Sequence, residues 1–311
     1  MTDASWVPAT APRILFVGLG KMGWPMAANL SAAGFHLEVF DACEDVSAAF
    51  GGQYGATVRT TITGAFDTND TVLTMLPSGR VVAEVIHEAL DNEPIGELAT
   101  PDTNPILLDM SSSDPYGSVE LGRFLGQRKI RMIDAPVSGG VTRAQAGTLA
   151  ILVGGLAADV MAVEPILSKL GSTRHVGQLG AGHAVKALNN LLSACGLLMS
   201  GEVLVIARKF GLSPSVVLDA FNSSTGRNNS TENKIGQYVL SGTYASGFSL
   251  DLMLKDLYTA MNLAHETDCP SPLGALVTEL AAAARIQLPV GADHTQVLQW
   301  QANVNATSLG W

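Results

Sequence analysis

The stretch GLGKMG (residues 18–23) decides the fold. It follows the apolar run ILFV (residues 14–17) and leads into the helical pattern MGWPMAANLSAAG. A short apolar run ending in glycine suits a strand buried on both faces. In a G-x-G-x-x-G the first glycine makes the tight turn and the second lets the backbone approach a pyrophosphate. The third allows close packing of helix on strand, and the helix N-terminus adds N–H groups and positive potential. Alone, such a match is as well read as a glycine-rich turn. The strand before it and the helix after it make a dinucleotide site, with Gly18, Leu19, Gly20, Met22 and Gly23 as candidate cofactor-binding residues. Asp41 closes the next strand, HLEVFD, 18 residues after Gly23. A carboxylate there accepts both adenosine ribose hydroxyls and repels a 2′-phosphate, so NAD is expected, with NADP the less favoured alternative.

Outward from this motif, TVLTML (residues 71–76), ILLDM (106–110), RMIDAPV (131–137) and LAILVGG (149–155) read as further strands separated by helical or loop segments. That alternation predicts an α/β fold, a doubly wound and mainly parallel sheet with helices on both faces. Near Gly177 the pattern changes. A helix is expected from about His183 to Phe210, stopped by Gly211, with Ser213 and Pro214 as N-cap and N1 of the next. Helical segments continue through SVVLDAF, TENKIGQYVLSG, SLDLMLKDLYTAMNLAHET and LGALVTELAAAARI. The expected organisation is a loose arm over residues 1–12, a Rossmann domain over 13–177 and an all-α substrate and oligomerisation domain over 178–311.

Composition excludes several classes. Of 311 residues 47% are hydrophobic and 15% charged, which suits a large core and argues against disorder. The net charge is −10, and no basic patch exceeds Arg128, Lys129 and Arg131, so nucleic acid is not an expected partner. Residues 188–207 come nearest to a membrane span, yet they contain Asn189, Asn190, Ser193, Ser200 and Glu202; a buried soluble helix is the better reading. MTDASWVPATAP lacks the basic and apolar regions of a secretory signal. Three scattered cysteines without a CxxC fit reduced thiols in a cytoplasm. No HExxH, paired cysteine or carboxylate cluster suggests a metal, and no G-x-S-x-G suggests a hydrolase.

Two stretches carry chemistry. GAGHAVKALNN (residues 180–190) puts Lys186 in an apolar helix, with Asn189 and Asn190 three and four positions on and so on the same face. DMSSSDP (109–115) and DAPVSGG (134–140) each follow a strand and so lie at the carboxyl edge, as does MLPS (75–78), whose Leu76 and Pro77 are candidate cofactor contacts. The Ser-Gly-Gly of residues 138–140 exposes backbone N–H groups and reads equally as an anion-holding nest or a flexible loop.

GLGKMGWPMAANL, MLPS, DMSSSDP, DAPVSGG with AGTL, GAGHAVKALNN and LMLKDL occur in the order of the β-hydroxyacid dehydrogenase family, which includes 3-hydroxyisobutyrate dehydrogenases and tartronate semialdehyde reductases. The resemblance runs from about Arg13 to Gln296. It implies that Ser138, Gly139 and Gly140 grip a substrate carboxylate, that Lys186 is the essential lysine, and that the Asn190 amide assists it and touches the substrate. It places Lys255 beside the nicotinamide and substrate, and gives Ser112 a cofactor contact where many relatives carry threonine. Lys186 would then face the nicotinamide at a cleft between domains and serve as general acid or base. A free lysine titrates near 10.4, so burial and Lys255 would have to lower it. The implied reaction is metal-independent hydride transfer between NAD and a small β-hydroxy acid. A homodimer or homotetramer is expected from the apolar surface between Leu191 and Ile206.

The sequence departs from the family at Arg143, read as a solvated loop residue, and in SSTGRNNSTENK (residues 223–234). Those polar residues hint at a substrate with extra polar groups, or else cap helices. Imine reduction is the enzyme alternative; such proteins generally replace the lysine, so Lys186 counts against it. A silent nucleotide-binding scaffold should have lost Lys186, Asn190 and Lys255 together.

Overall fold

The structure is a computed structural model that describes residues 12–90 and 104–309. Of the expected N-terminal arm only Pro12 falls among them. The chain forms two compact units that meet in sequence between Lys186 and Ala187.

The first unit opens β1 (Ile14–Val17), α1 (Gly23–Ala32), β2 (Leu37–Phe40), α2 (Glu44–Tyr54), β3 (Thr57–Val58), α3 (Ala65–Thr68), β4 (Thr71–Thr74) and α4 (Gly79–Leu90). It continues through β5 (Ile106–Asp109), α5 (Pro115–Gly126), β6 (Arg131–Asp134), β7 (Val137–Ser138), α6 (Gly140–Ala146), β8 (Leu149–Gly154), α7 (Ala157–Leu167) and β9 (Gly171–Gly177). The sheet order is β3-β2-β1-β4-β5-β6-β8-β7, with β9 beside β8. Strands β1 to β6 pair in parallel, with Ile14 opposite both Leu37 and Thr71, and β8 runs antiparallel to β6 and β7.

Strand periodicity explains the layers. Ile14 and Phe16 join Met26, Leu30 and Phe50 on one face, while Leu15 and Val17 join Val82, Ile86, Leu121 and Leu125 on the other. All four β1 residues are buried, and each such side chain contributes about 1.5–3 kcal/mol relative to exposure. Two readings need refinement. RMIDAPV breaks into β6 and β7 at Ala135 and Pro136, and both strands pair antiparallel with β8. β9 was not legible: its half-exposed GSTRHVG lacks an apolar run and is held by pairing to β8.

The second unit is helical. α8 (Ala181–Phe210) leads into it, followed by α9 (Pro214–Asn222), a π-helix (Thr231–Leu240), α10 (Leu250–Glu266), α11 (Pro272–Gln287) and α12 (Gln296–Val304). Its core unites Leu197, Leu198 and Leu204 of α8 with Ile235, Leu257, Ala281 and Leu298. α8 stops where expected, at Gly211 with φ +100°. Ser213 is the N-cap of α9, but its hydroxyl bonds Ser215 Oγ rather than a backbone N–H. The i→i+5 pairing of TENKIGQYVL was not legible, since the buried Thr231, Ile235 and Val239 recur at a spacing that either helix type tolerates.

α8 is long and apolar enough to cross a membrane by length and composition. One side of it belongs to the core of the helical unit, through Leu197, Leu198 and Leu204.

Candidate active site

The glycines of residues 18–23 take the three roles their spacing demands. Gly18 has φ +97°, and a Cβ there would press on the Met75 carbonyl. A Cβ at Gly23 would collide with the Gly18 carbonyl, so only glycine lets α1 pack so closely on β1. At Gly20 a Cβ would meet nothing within 4 Å, which leaves the backbone open to a pyrophosphate. Asp41 accepts from Leu19 N–H at 2.7 Å and from Cys43 N–H at 2.9 Å. The carboxylate thus fixes the loop, and its spare lone pairs remain for ribose hydroxyls. Met22 is half-buried against the core beneath. These residues fit a nicotinamide dinucleotide.

The neighbouring edge is tied to the same site. Leu76 N–H donates to Ser111 Oγ at 2.9 Å, which joins the β4 loop carrying Leu76 and Pro77 to the β5 loop carrying Ser112. Buried Asp109 organises the second loop. It accepts from Thr74 Oγ1 at 2.9 Å, Ser111 N–H at 3.0 Å and Ser113 Oγ at 2.7 Å.

Ser138 ends β7, and Gly139 and Gly140 follow with φ +133° and +67°. Both angles lie in the region that favours glycine, so the loop takes this path only with glycine at each position. Gly140 has open space where a Cβ would stand. Arg143 is exposed and lays its stem along Gly139, in keeping with a solvated residue.

The start of α8 is anchored by Asp134 and His183. Asp134, fully buried at the end of β6, accepts from Gly180 N–H and His183 N–H, both at 2.7 Å. It caps the helix across 49 residues of sequence and satisfies donors that have no partner within it. The buried His183 ring bonds Ser118 Oγ at 2.9 Å and the Ser111 carbonyl at 3.1 Å. One histidine therefore ties α8 to the Ser111–Ser112 loop. Lys186 follows three residues later and is half-buried.

On the helical unit, Asn190 Nδ2 donates to Asp256 Oδ2 at 2.5 Å. Asp256 is buried on α10, and Lys255 Nζ lies 3.8 Å from its other oxygen. The amide is thereby oriented: its donor is committed to Asp256, so Oδ1 is the end presented to other donors, among them Asn189 Nδ2 at 3.2 Å. Asp256 stands in the LMLKDL motif, but nothing local in the sequence reveals its contact 66 residues away.

Lys234 closes the polar segment of residues 223–234. Its Nζ donates to Ser193 Oγ, one turn beyond Asn190 on α8, at 3.0 Å. Of the polar segment around it, Asn228 is structural: its Oδ1 accepts from Ser230 and Thr231 N–H, and its Nδ2 donates to Ser200 Oγ and the Gly226 carbonyl. Among the described residues no cluster of three His, Cys, Asp or Glu could hold a metal.

A mainly parallel sheet with this glycine turn, an acid just after β2 and a helical second unit is the arrangement of nicotinamide-dinucleotide-dependent dehydrogenases. Residues 13–180 match the family described as the NAD binding domain of 6-phosphogluconate dehydrogenase. Residues 180–301 match the NAD-binding family of NADP-dependent 3-hydroxyisobutyrate dehydrogenase. The chain is 36% identical to the 2-(hydroxymethyl)glutarate dehydrogenase of Eubacterium barkeri, over 88% of this chain and 89% of the other. It is also 36% identical to the 3-hydroxyisobutyrate dehydrogenase of Pseudomonas aeruginosa, over 86% and 90%. The structure of the Mycobacterium tuberculosis 3-hydroxyisobutyrate dehydrogenase with L-serine superposes with a TM-score of 0.85 at 30% identity, covering 94% of this chain and 99% of that one. A reductive aminase of Aspergillus terreus, at 20% identity and a TM-score of 0.56, shares the fold alone. The chain belongs to the β-hydroxyacid dehydrogenase family and is an NAD(P)-dependent oxidoreductase acting on CH–OH donors.

Proposed function

We propose that the protein oxidises a small β-hydroxy acid to its semialdehyde or 3-oxo acid, or reduces it in reverse, with NAD preferred to NADP. The observation that carries the proposal is Lys186 and Asn190 one turn apart at the anchored end of α8, with the Asn190 amide oriented by Asp256. Ser138 and the N–H groups of Gly139 and Gly140 bind the substrate carboxylate. Residues 18–20, Met22, Gly23, Asp41, Leu76, Pro77, Ser112 and Lys255 hold the cofactor, which when bound supplies the hydride acceptor. Lys186 Nζ takes the hydroxyl proton as the C–H bond breaks, and in reduction returns it to the carbonyl oxygen. Asn190 Oδ1 accepts from the ammonium or from the hydroxyl and holds both in register. Asp41 supports NAD because its carboxylate repels a 2′-phosphate.

Relatives named for 2-(hydroxymethyl)glutarate and 3-hydroxyisobutyrate, and one captured with L-serine, each involve a β-hydroxy acid and lend support. The helical unit is further proposed to form a homodimer or homotetramer. Cys43, Cys195 and Cys269 are all free thiols, which favours a reducing compartment such as the cytoplasm.

The test is NADH absorbance with a panel of β-hydroxy acids, for the natural chain and Lys186→Ala. Turnover should fall by at least about 10³-fold in the variant while NADH affinity stays within a few-fold. Normal turnover in Lys186→Ala would refute the role.

A further inference from the structure

Lys234 presents a charge that no ion pair among the described residues neutralises. It is half-buried on the π-helix, with the buried Thr231 three residues before it and the buried Ile235 next to it in the chain. An ammonium has three N–H donors, and its one hydrogen bond here goes to the Ser193 hydroxyl. Among the described residues no carboxylate lies within ion-pair distance of it. Asp293 acts on it only from farther off, and that carboxylate is already occupied by Ser246 Oγ, Gly247 N–H, Thr295 N–H and Thr295 Oγ1. Burial accordingly pushes the Lys234 ammonium below its ordinary value, with Asp293 opposing only in part. A partly desolvated cation with unused donors is completed by an anion that arrives from outside.

Its position says which anion. Ser193 follows Asn190 by three residues, so the two share a face of α8 with about 4.5 Å of rise between them. Resting on the reading that Asn190 and Lys186 handle the reacting hydroxyl, we propose that Lys234 is a specificity-determining residue that binds a second anionic group of the substrate. The substrate class is then a β-hydroxy acid with a further carboxylate on a short side chain. Ser193 holds the ammonium in place until that group binds. Asn228 plays no part, since its amide is consumed by the start of the π-helix.

Two acids with the same hydroxymethyl-carboxylate head separate the outcomes: 2-(hydroxymethyl)glutarate, with a distal carboxylate, and 3-hydroxyisobutyrate, without one. The natural chain should prefer the dicarboxylate in kcat/KM. In Lys234→Met that preference ratio should drop on the order of 10- to 100-fold, mainly through KM, while Lys234→Arg keeps most of it. Lys234→Gln serves the same comparison if the methionine variant does not fold by circular dichroism. An unchanged ratio in a folded neutral variant, or a natural chain that favours the monocarboxylate, overturns the proposal.

Calorimetric titration of glutarate and butyrate into the NADH complex separates this result from the underlying activity. Glutarate should bind the natural chain at least about tenfold more tightly than butyrate, with the gap closed in Lys234→Met. Equal binding by the natural chain sinks the anion site. Retained glutarate selectivity with neither hydroxy acid oxidised sinks the dehydrogenase reading instead.

Discussion

Asp256 shows how one residue sets the chemistry of another. An asparagine amide presents a donor at one end and an acceptor at the other, and rotation exchanges them. The buried carboxylate accepts from Nδ2 and so selects the rotamer whose Oδ1 faces outward. Asp256→Leu removes that selection and leaves the amide free to present either end. We expect kcat to fall about 10- to 100-fold with NADH affinity nearly unchanged, read from steady-state and titration data; equal loss of both would point to collapse of α10 instead. Gly18 and Gly23 act at the same scale, and their roles were legible because the atoms they must avoid lie within a few residues or in an adjacent parallel strand.

At the scale of the element, α8 is held by its first turn. Asp134 satisfies two backbone donors there in a fully buried place. Asp134→Ala leaves both N–H groups without an acceptor, and each buried orphan costs about 1–3 kcal/mol. A loss of about 2–4 kcal/mol in urea denaturation is expected, together with a fall in turnover because Lys186 is no longer held in register. Unaltered stability would mean that water or another group caps the helix. The helix itself was legible from its apolar spacing, and its stop from Gly211. The cap was not, because β6 and α8 are distant in sequence and only the sheet brings Asp134 to the helix start. The link from His183 to Ser111 likewise appears only in the folded chain.

At the scale of the molecule, charge and apolar surface make two predictions. Burial alone would raise the Asp293 carboxyl, but hydrogen bonds from His294, Thr295 and Ser246 outweigh it and hold the group well below the usual carboxylate range. The folded chain therefore binds fewer protons there than the unfolded chain, whose aspartate titrates near 3.9. This contribution is complete above that value and lost as the pH falls below it. The stability gap between the natural chain and Asp293→Asn, read by denaturation, should be largest near neutrality and shrink steadily from about pH 5 to pH 2. A gap that does not change with pH would contradict the assignment. On α8, Leu192, Met199 and Ile206 recur every seventh residue and are 73%, 58% and 67% exposed. Such a stripe suits a helix face covered by a second copy. Light scattering should give a multiple of the 32.4 kDa chain mass, and Met199→Glu with Ile206→Glu should lower it. A strict monomer at micromolar concentration would remove the idea.

The sequence by itself determined the doubly wound sheet, the nucleotide loop with Asp41 and the long helix bearing Lys186 and Asn190. Each is written in short-range periodicity or in a turn that only glycine permits, so neighbouring residues suffice to specify it. Only the tertiary structure decided what orients those groups: Asp134 under the helix start, Asp256 against Asn190 and Lys234 against Ser193. These contacts join residues 41 to 66 apart in sequence, where hydrogen-bond partners are chosen by the packing of whole elements and leave no local trace.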